Sequence, residues 1–483
     1  MSERYDVILV GGGPGGLACA ALLSKWGLRT LILEKNASTG GKAVTAERDG
    51  FRFELGPKLQ VPMSEPAFFH LFRELGMPEK LRAIPLEQGA HLAYRGRSGG
   101  YRTVIAPQTG QDPTPLFDLM GLDATERQQA LAFLAELVLL PPAELDKLDD
   151  VTMEEYLAGK PVPRALYSYL AMHANASLAE PIDRVAASEQ IKIFQQIATR
   201  GGGGYYAGGF GRVLDDIADA VREHGGEIRT GVRARRIRVE DGRVTGVETD
   251  RGRFGAPLVV SSAGIQPTVL GLVGKEHFDP GYVDYVRRLE PGWGFATVRY
   301  FLRARVMTSP MYMVWSDESW WNVERAERVR NGRIPDEVIL FITVPSNYDP
   351  AMAPPGRQCL IAGTICSPDP EAPEIEALYG RMDAMLQKLF PEAWAALERR
   401  EVDGPREVSL HTRDHVLPGQ GGECVGIGQI AGQCGTQKPS PETPVGGLFL
   451  VGCDAGSAGM GTHQATDSGM RVARTVRAAH AAL

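Results

Sequence analysis

The chain has 483 residues, 43% of them hydrophobic, and a formal net charge of -7 with both signs mixed along it. That suffices for a buried core and for two domains, and it offers no basic stretch on which to argue a nucleic-acid partner. The six cysteines are scattered, form no CxxC pair and have no histidine at zinc-finger spacing, so free thiols in a cytoplasmic chain are expected and no metal site is.

Residues 1–6 are polar, and glycines cut the apolar run that follows, so no secretory signal is expected. No stretch approaches the roughly 18 uninterrupted apolar residues of a spanning helix. Tyr5 to Val10 reads as a buried parallel strand. The glycine run Gly11 to Gly16 follows, with Gly11, Gly13 and Gly16 satisfying G-x-G-x-x-G around Pro14 and Gly15. A helix then runs to Gly27, and a second strand spans Arg29 to Glu34. Gly11 permits the tight turn, Gly13 lets the backbone approach a pyrophosphate, and Gly16 lets the helix pack closely on the strand. Unpaired N–H groups of the first helical turn face the phosphates. Glu34 closes the second strand 18 residues after Gly16, where its carboxylate accepts the adenosine ribose hydroxyls. A 2′-phosphate would meet that negative charge, which speaks against NADP.

Lys35 and a short loop lead to a second glycine pair, Gly40 and Gly41, and then to Lys42. An NAD site has no need of this pair. An FAD site does, because the chain must pass the diphosphate again along the extended cofactor, and Lys42 adds a positive charge there. FAD is therefore the expected cofactor. With the run Gly50 to Pro57, GFRFELGP, this stretch resembles the FAD superfamily that contains phytoene desaturases, carotenoid isomerases, protoporphyrinogen oxidase and monoamine oxidases. Where that family usually has arginine after the glycine pair, this chain has Lys42, which keeps the charge and loses the guanidinium fork. The implied fold is α/β, a Rossmann-like FAD-binding domain with an inserted mixed α+β substrate domain. Residues 1–64, 196–268 and 436–483 would form the first, and residues 65–195 and 269–435 the second.

The first excursion is expected to be mostly helical, with helices over Phe68 to Leu75 and Ala124 to Leu140 and a cap at Thr152 with Glu155 three on. The apolar stretch Ala130 to Leu140 raises peripheral membrane contact as an alternative to burial. Further on, a helix over Arg212 to His224 stops at Gly225 and Gly226, a hairpin turns at Asp241-Gly242, and a strand leads to Gly264. The resemblance implies that the Val232 backbone pairs with the adenine and that Gly264 belongs to the cofactor site. The second excursion carries strand-like runs at Phe295 to Leu302, Tyr312 to Trp315, Val338 to Val344 and Gln358 to Ile365. Trp293, Trp315, Trp320 and Trp321 fit either a cavity wall or the core. His411 and His415 lack a third ligand at metal spacing, and Gly419 to Pro444 reads equally as cavity lining or surface loop.

The last segment holds a strand over Leu448 to Val451 that ends at Gly452 and brings Asp454 to its carboxyl end, where open sheets bind ligands. Gly459 and Gly461 then precede an amphipathic helix that begins with Thr462 and His463. The resemblance implies that Asp454 holds the ribityl chain, although Cys453 separates it from the glycine it usually follows. It also implies that the helix start at Gly461 and Thr462 faces the pyrimidine end of the flavin, whose charge on reduction N–H groups and dipole stabilise. The resemblance is nearest the desaturase and isomerase branch. It implies hydride transfer to flavin N5 from an apolar alkene-bearing or cyclic small molecule. An amine oxidase and a redox-neutral isomerase share the framework, and the electron acceptor (oxygen, quinone or another) stays open. His463 is the candidate base, with Tyr205 and Tyr206 as further candidates to face the cavity.

Overall fold

A computed structural model describes residues 3–62, 64–87, 89–106, 112–456 and 459–483; Ser457 and Ala458 of the C-terminal glycine motif lie outside this set. A five-stranded parallel sheet is its centre, in the order Glu227–Arg229, Thr30–Leu33, Val7–Val10, Leu258–Ser261, Leu448–Leu450. Three distant stretches of chain thus meet in one sheet. Its four inner and C-terminal strands are buried, mostly apolar runs because both faces are covered, whereas the edge strand Glu227–Arg229 is partly exposed. Val7 and Leu9 pack into the cluster that includes Leu17 and Val472 of the flanking helices, whereas Ile8 and Val10 pack on the opposite side with Val247 and Phe254. The alternation is the two-residue period of a strand.

Helices Pro14–Lys25 and Gly461–Ala481 lie against each other over the first of these faces. Small residues permit the approach: a methyl on Gly15 would sit 2.9 Å from the Ala465 carbonyl oxygen, and one on Gly469 would sit 2.8 Å from the Ala18 Cβ. On the other face lies a four-stranded sheet whose hairpin, Ala234–Glu240 and Arg243–Thr249, turns at Asp241 and Gly242. Both turn residues have positive φ, 48° and 74°, as a two-residue I′ turn requires.

A seven-stranded mixed sheet forms the second lobe, in the order Leu397–Asp403, Gly294–Leu302, Gln358–Cys366, Leu340–Thr343, Met311–Ser316, Ala90–Arg95, Arg102–Ala106. Gln358–Cys366 is buried along its whole length. The first excursion is mostly helical, as expected, and also supplies strands. Ala90–Arg95 pairs in parallel with Met311–Ser316, far along the chain, and Arg102–Ala106 pairs with it as an edge strand. The helices of that excursion form as their caps dictate. Thr152 and Glu155 make a reciprocal capping box, with Thr152 N–H donating to Glu155 Oε2 at 2.8 Å and Glu155 N–H to Thr152 Oγ1 at 3.1 Å. Helix Ala124–Leu139 buries Ala130, Phe133 and Leu137 and leaves Leu131 and Leu139 exposed. Among the described residues no helix is long and apolar enough to cross a membrane. Trp293, Trp315, Trp320 and Trp321 are all buried, and none lies on the wall of the main cavity.

Candidate functional site

One continuous cavity of about 380 Å³ runs from the glycine turn of the parallel sheet to the seven-stranded sheet. At its first end the strand Val7–Val10 turns at Gly11, whose φ is +96°. Helix Pro14–Lys25 starts with no side-chain cap, so its first-turn N–H groups are free for a ligand. The glycines of this turn do different jobs. A Cβ on Gly16 would collide with the Gly11 carbonyl oxygen. Gly16 packs against that carbonyl and is absent from the cavity wall. A Cβ on Gly13 would find nothing nearer than Ser262 Oγ at 3.8 Å, and Gly13 has an ordinary φ of -73°. Nothing in the protein requires glycine there; the space it leaves belongs to a ligand. Gly13→Val is therefore expected to fold normally yet bind flavin more weakly by about 1–3 kcal/mol, whereas Gly16→Ala is expected to lower the melting temperature as well. Circular dichroism and flavin absorbance of the two purified variants check this.

Glu34 is buried but lies on the cavity wall. Its Oε2 accepts from Gly12 N–H and its Oε1 from Asn36 N–H, both at 2.8 Å. These bonds join the glycine turn to the end of the second strand and leave further lone pairs for a sugar. The second glycine pair folds onto the first. Gly40 N–H donates to Gly12 O at 2.8 Å, and Gly41 lies on the wall against Gly13. Gly40 itself is behind the wall. Lys42 reaches the wall, but its ammonium donates to the backbone oxygens of Glu423 and Val425, so it braces that loop. Lys35, also on the wall, donates to Asp414 at 3.3 Å.

Val232 does not line the cavity. Its N–H donates to Glu34 O at 2.9 Å, and the wall beside it is made by Arg233 and Ala234. The strand Ala234–Glu240 begins two residues beyond Val232. At the end of strand Leu448–Leu450, Gly452, Asp454 and Gly264 all reach the cavity. Asp454 accepts from Ile427 N–H at 3.0 Å and Ile265 N–H at 3.1 Å, and faces Arg413 at 3.4 Å. Burial works against its charge, but Arg413 and the two N–H groups outweigh it and hold the carboxyl below its usual range. Gly461 and Thr462 open the last helix on the same wall, again with no side-chain cap.

The three residues expected to handle protons do not reach the cavity. His463 Nδ1 accepts from Ala67 N–H at 3.0 Å, so the ring caps helix Ala67–Leu75; burial also lowers its pKa. Tyr205 and Tyr206 are fully buried in the short strand Gly204–Tyr206. The Tyr205 hydroxyl donates to Glu54 and its ring stacks on Tyr348, while Tyr206 packs edge-on against Phe68 and Phe210. The tyrosine pair is core, held there by the pairing of its strand with Ala83–Pro85.

The far end of the cavity is apolar. Met311 and Met313 share one face of their strand, Phe341 lies opposite Met313 across the ladder, and Phe295 and Met460 complete the wall. A single π-helical turn, Ala174–Leu178, brings Ala176 and Ser177 to the wall, a distortion often found at functional sites. Ser177 Oγ lies 3.4 Å from Nε2 of His173, which stacks on Phe194. Burial pushes the His173 pKa down to about 4. The loop Gly419 to Pro444 contributes Cys424 and Val425 to the wall. Arg233, Arg413, Asp414, Lys58 and Ser177 were not singled out from the sequence. Charged and hydroxyl side chains in unpatterned segments carry no local signal of where they point.

Two uncapped helix starts on one cavity, unfilled space at Gly13 and a buried carboxylate beside both fit a dinucleotide such as FAD. The comparisons with known proteins agree. The family model of flavin containing amine oxidoreductases matches residues 14–477. The chloroplastic prolycopene isomerase of Arabidopsis thaliana is 25% identical over 513 residues, covering 98% of this chain and 83% of that protein. A phytoene desaturase of Fusarium fujikuroi is 25% identical over 390 residues, covering 74% and 65%. The crystal structure of an oxidoreductase from Methanosarcina mazei superposes with a TM-score of 0.70 at 18% identity, covering 97% of this chain and all of that one.

Proposed function

The chain belongs to the family of flavin-containing amine oxidoreductases, and from that premise we propose that it is an FAD-dependent oxidoreductase acting on a carbon–carbon bond of an apolar, alkene-bearing or cyclic small molecule. The observation that carries this reading is the wall formed by Phe295, Met311, Met313, Phe341 and Met460. The carboxylates on the cavity wall are Glu34, Asp414 and Asp454, and each is engaged by N–H groups or cations of the protein. Among the described residues no acid stands at the apolar end, so the wall there offers hydrocarbon contacts and no partner for a cationic group.

Bound flavin supplies a two-electron centre that exchanges hydride at N5. Gly13, Glu34, Gly41, Asp454, Gly461 and Thr462 would hold it. The apolar side chains orient the substrate and exclude water. Removal of a proton from the carbon next to the oxidised one falls to Ser177. Its oxygen takes that proton as its own passes to His173 Nε2, an imidazole that burial keeps neutral across the working range. Such a proton is acidic once charge develops beside it, so a weak base is enough. A peripheral membrane contact through the exposed Leu131 and Leu139 would suit a lipid-dissolved substrate.

Anaerobic flavin bleaching with terpenoid alkene, cyclic ketone and amine panels tests the proposal. Bleaching by the alkene or cyclic compounds supports it, and bleaching by amines alone would overturn it. Product formed with no acceptor consumed would assign the chain to isomerisation. With the active substrate, Ser177→Ala and His173→Phe are each expected to slow the reaction by about a hundredfold while flavin content is unchanged. The wild-type pH–rate profile should show no break near 6.5.

A further inference from the structure

Five cations line the cavity among the described residues: Lys35, Lys42, Lys58, Arg233 and Arg413. Four of them are answered by the protein. Lys35 and Arg233 share Asp414. Lys42 binds the carbonyl oxygens of Glu423 and Val425. Arg413 donates to the Ala263 carbonyl at 3.1 Å and pairs with Asp454 and Glu423. Lys58 has no hydrogen bond and no ion pair among the described residues. The carboxylate whose field reaches it, Glu54, is occupied by Tyr205, by Phe210 N–H at 3.3 Å and by Thr45 at 3.1 Å. The Cys424 thiol also faces this region, and burial raises its pKa, so it supplies no anion.

The place of Lys58 matters as much as its lack of a partner. The segment 56–61 lies along the wall. At one end Gly56 approaches Thr297, on the strand that also carries Phe295. At the other, Gln60 Oε1 accepts from Thr462 Oγ1 at 3.5 Å in the first turn of the last helix. Lys58 therefore stands where the nucleotide end of the cavity meets its apolar end. The diphosphate would be held away from it, at Gly13 and Gly41. Lys58 is half-buried on this wall, and an ammonium group there that the protein leaves without an acceptor gains most from a ligand that brings the anion. We infer that the substrate carries a carboxylate on an otherwise apolar, unsaturated body, and that Lys58 docks that carboxylate at the junction of the two ends.

This rests on the apolar-substrate reading above, and the test separates the two. Dissociation constants are measured on the oxidised holoprotein from perturbation of the flavin absorption spectrum. The probes are two matched pairs, 10-undecenoic acid with its methyl ester and all-trans-retinoic acid with its methyl ester. The acid of at least one pair is expected to bind about tenfold or more tightly than its ester, the range of a charge-assisted contact. Lys58→Met should equalise the pair, and Lys58→Arg should keep most of the preference. Equal affinity of acid and ester in the wild type overturns the inference and leaves the apolar reading intact. A preference that survives Lys58→Met also overturns it. If no member of either pair perturbs the flavin, both readings fall. Should Lys58→Met lose its flavin, the wild-type ratio and Lys58→Arg still decide the matter.

Discussion

Replacing Glu34 with alanine will give a folded protein that leaves dialysis without its flavin. The carboxylate does two things at once. It ties Gly12 and Asn36 together through two N–H bonds of 2.8 Å, and it faces the cavity with lone pairs still open. Alanine removes the acceptor for the ribose hydroxyls, a loss of about 3 kcal/mol or roughly a hundredfold in Kd. It also frees the glycine turn to drift from the geometry that aims the helix N–H groups at the diphosphate. Glu34→Gln, which keeps one acceptor oxygen, should fall between wild type and alanine. Flavin absorbance after exhaustive dialysis and titration of the apoprotein with FAD measure the effect. Full colour in Glu34→Ala would remove this residue from the cofactor site.

Glu180→Gln is expected to stabilise the protein by about 2 kcal/mol at neutral pH. The Glu180 side chain is fully buried, and neither of its oxygens has a hydrogen-bond partner. Arg184 comes only within 3.9 Å of it, because that guanidinium is engaged by Glu290 at 2.9 Å. Burial therefore dominates, Arg184 offsets part of it, the Glu290 charge adds to it, and the carboxyl is pushed up from 4.5 to about 8. A carboxyl whose pKa is raised in the folded state contributes stability that is full below 4.5 and is lost as pH rises to 8. At pH 7 the ionised group of the unfolded chain must take up a proton to fold, which costs about 3 kcal/mol. Glutamine removes that term, and the amide beside Arg184 returns part of the gain. Urea unfolding at pH 5 and pH 7.5 should show little difference from wild type at the lower value and a clear gain at the higher. Equal destabilisation at both would mean that Glu180 is an ionised partner of Arg184.

Several elements were legible without coordinates. Val7–Val10 and Thr30–Leu33 are short apolar runs with a glycine turn and a helix between them, so strand, turn and helix form from signals within one stretch of chain. The Asp241-Gly242 turn and the Thr152 cap are equally local. Ala90–Arg95 and Arg102–Ala106 were not legible, because the second is a half-exposed edge strand and the first is held between that edge and the distant strand Met311–Ser316. Val232, expected beside the adenine, lies just behind the cavity wall, which its neighbours Arg233 and Ala234 form.

The amino-acid order by itself determined the glycine-turn half of the cavity, from Gly11 to Gly15, Glu34, Gly41 and the turn after Gly452, because each of those features works through backbone geometry set by its neighbours. Only the tertiary structure decided which side chains face the reacting end. It turned His463 onto a helix start and Tyr205 and Tyr206 into the core. It brought Ser177, Lys58, Met313 and Phe341 together from four separate segments. The physical reason is that a side chain's direction follows from the packing of whole sheets and helices, and that packing is fixed by contacts between residues far apart in the chain.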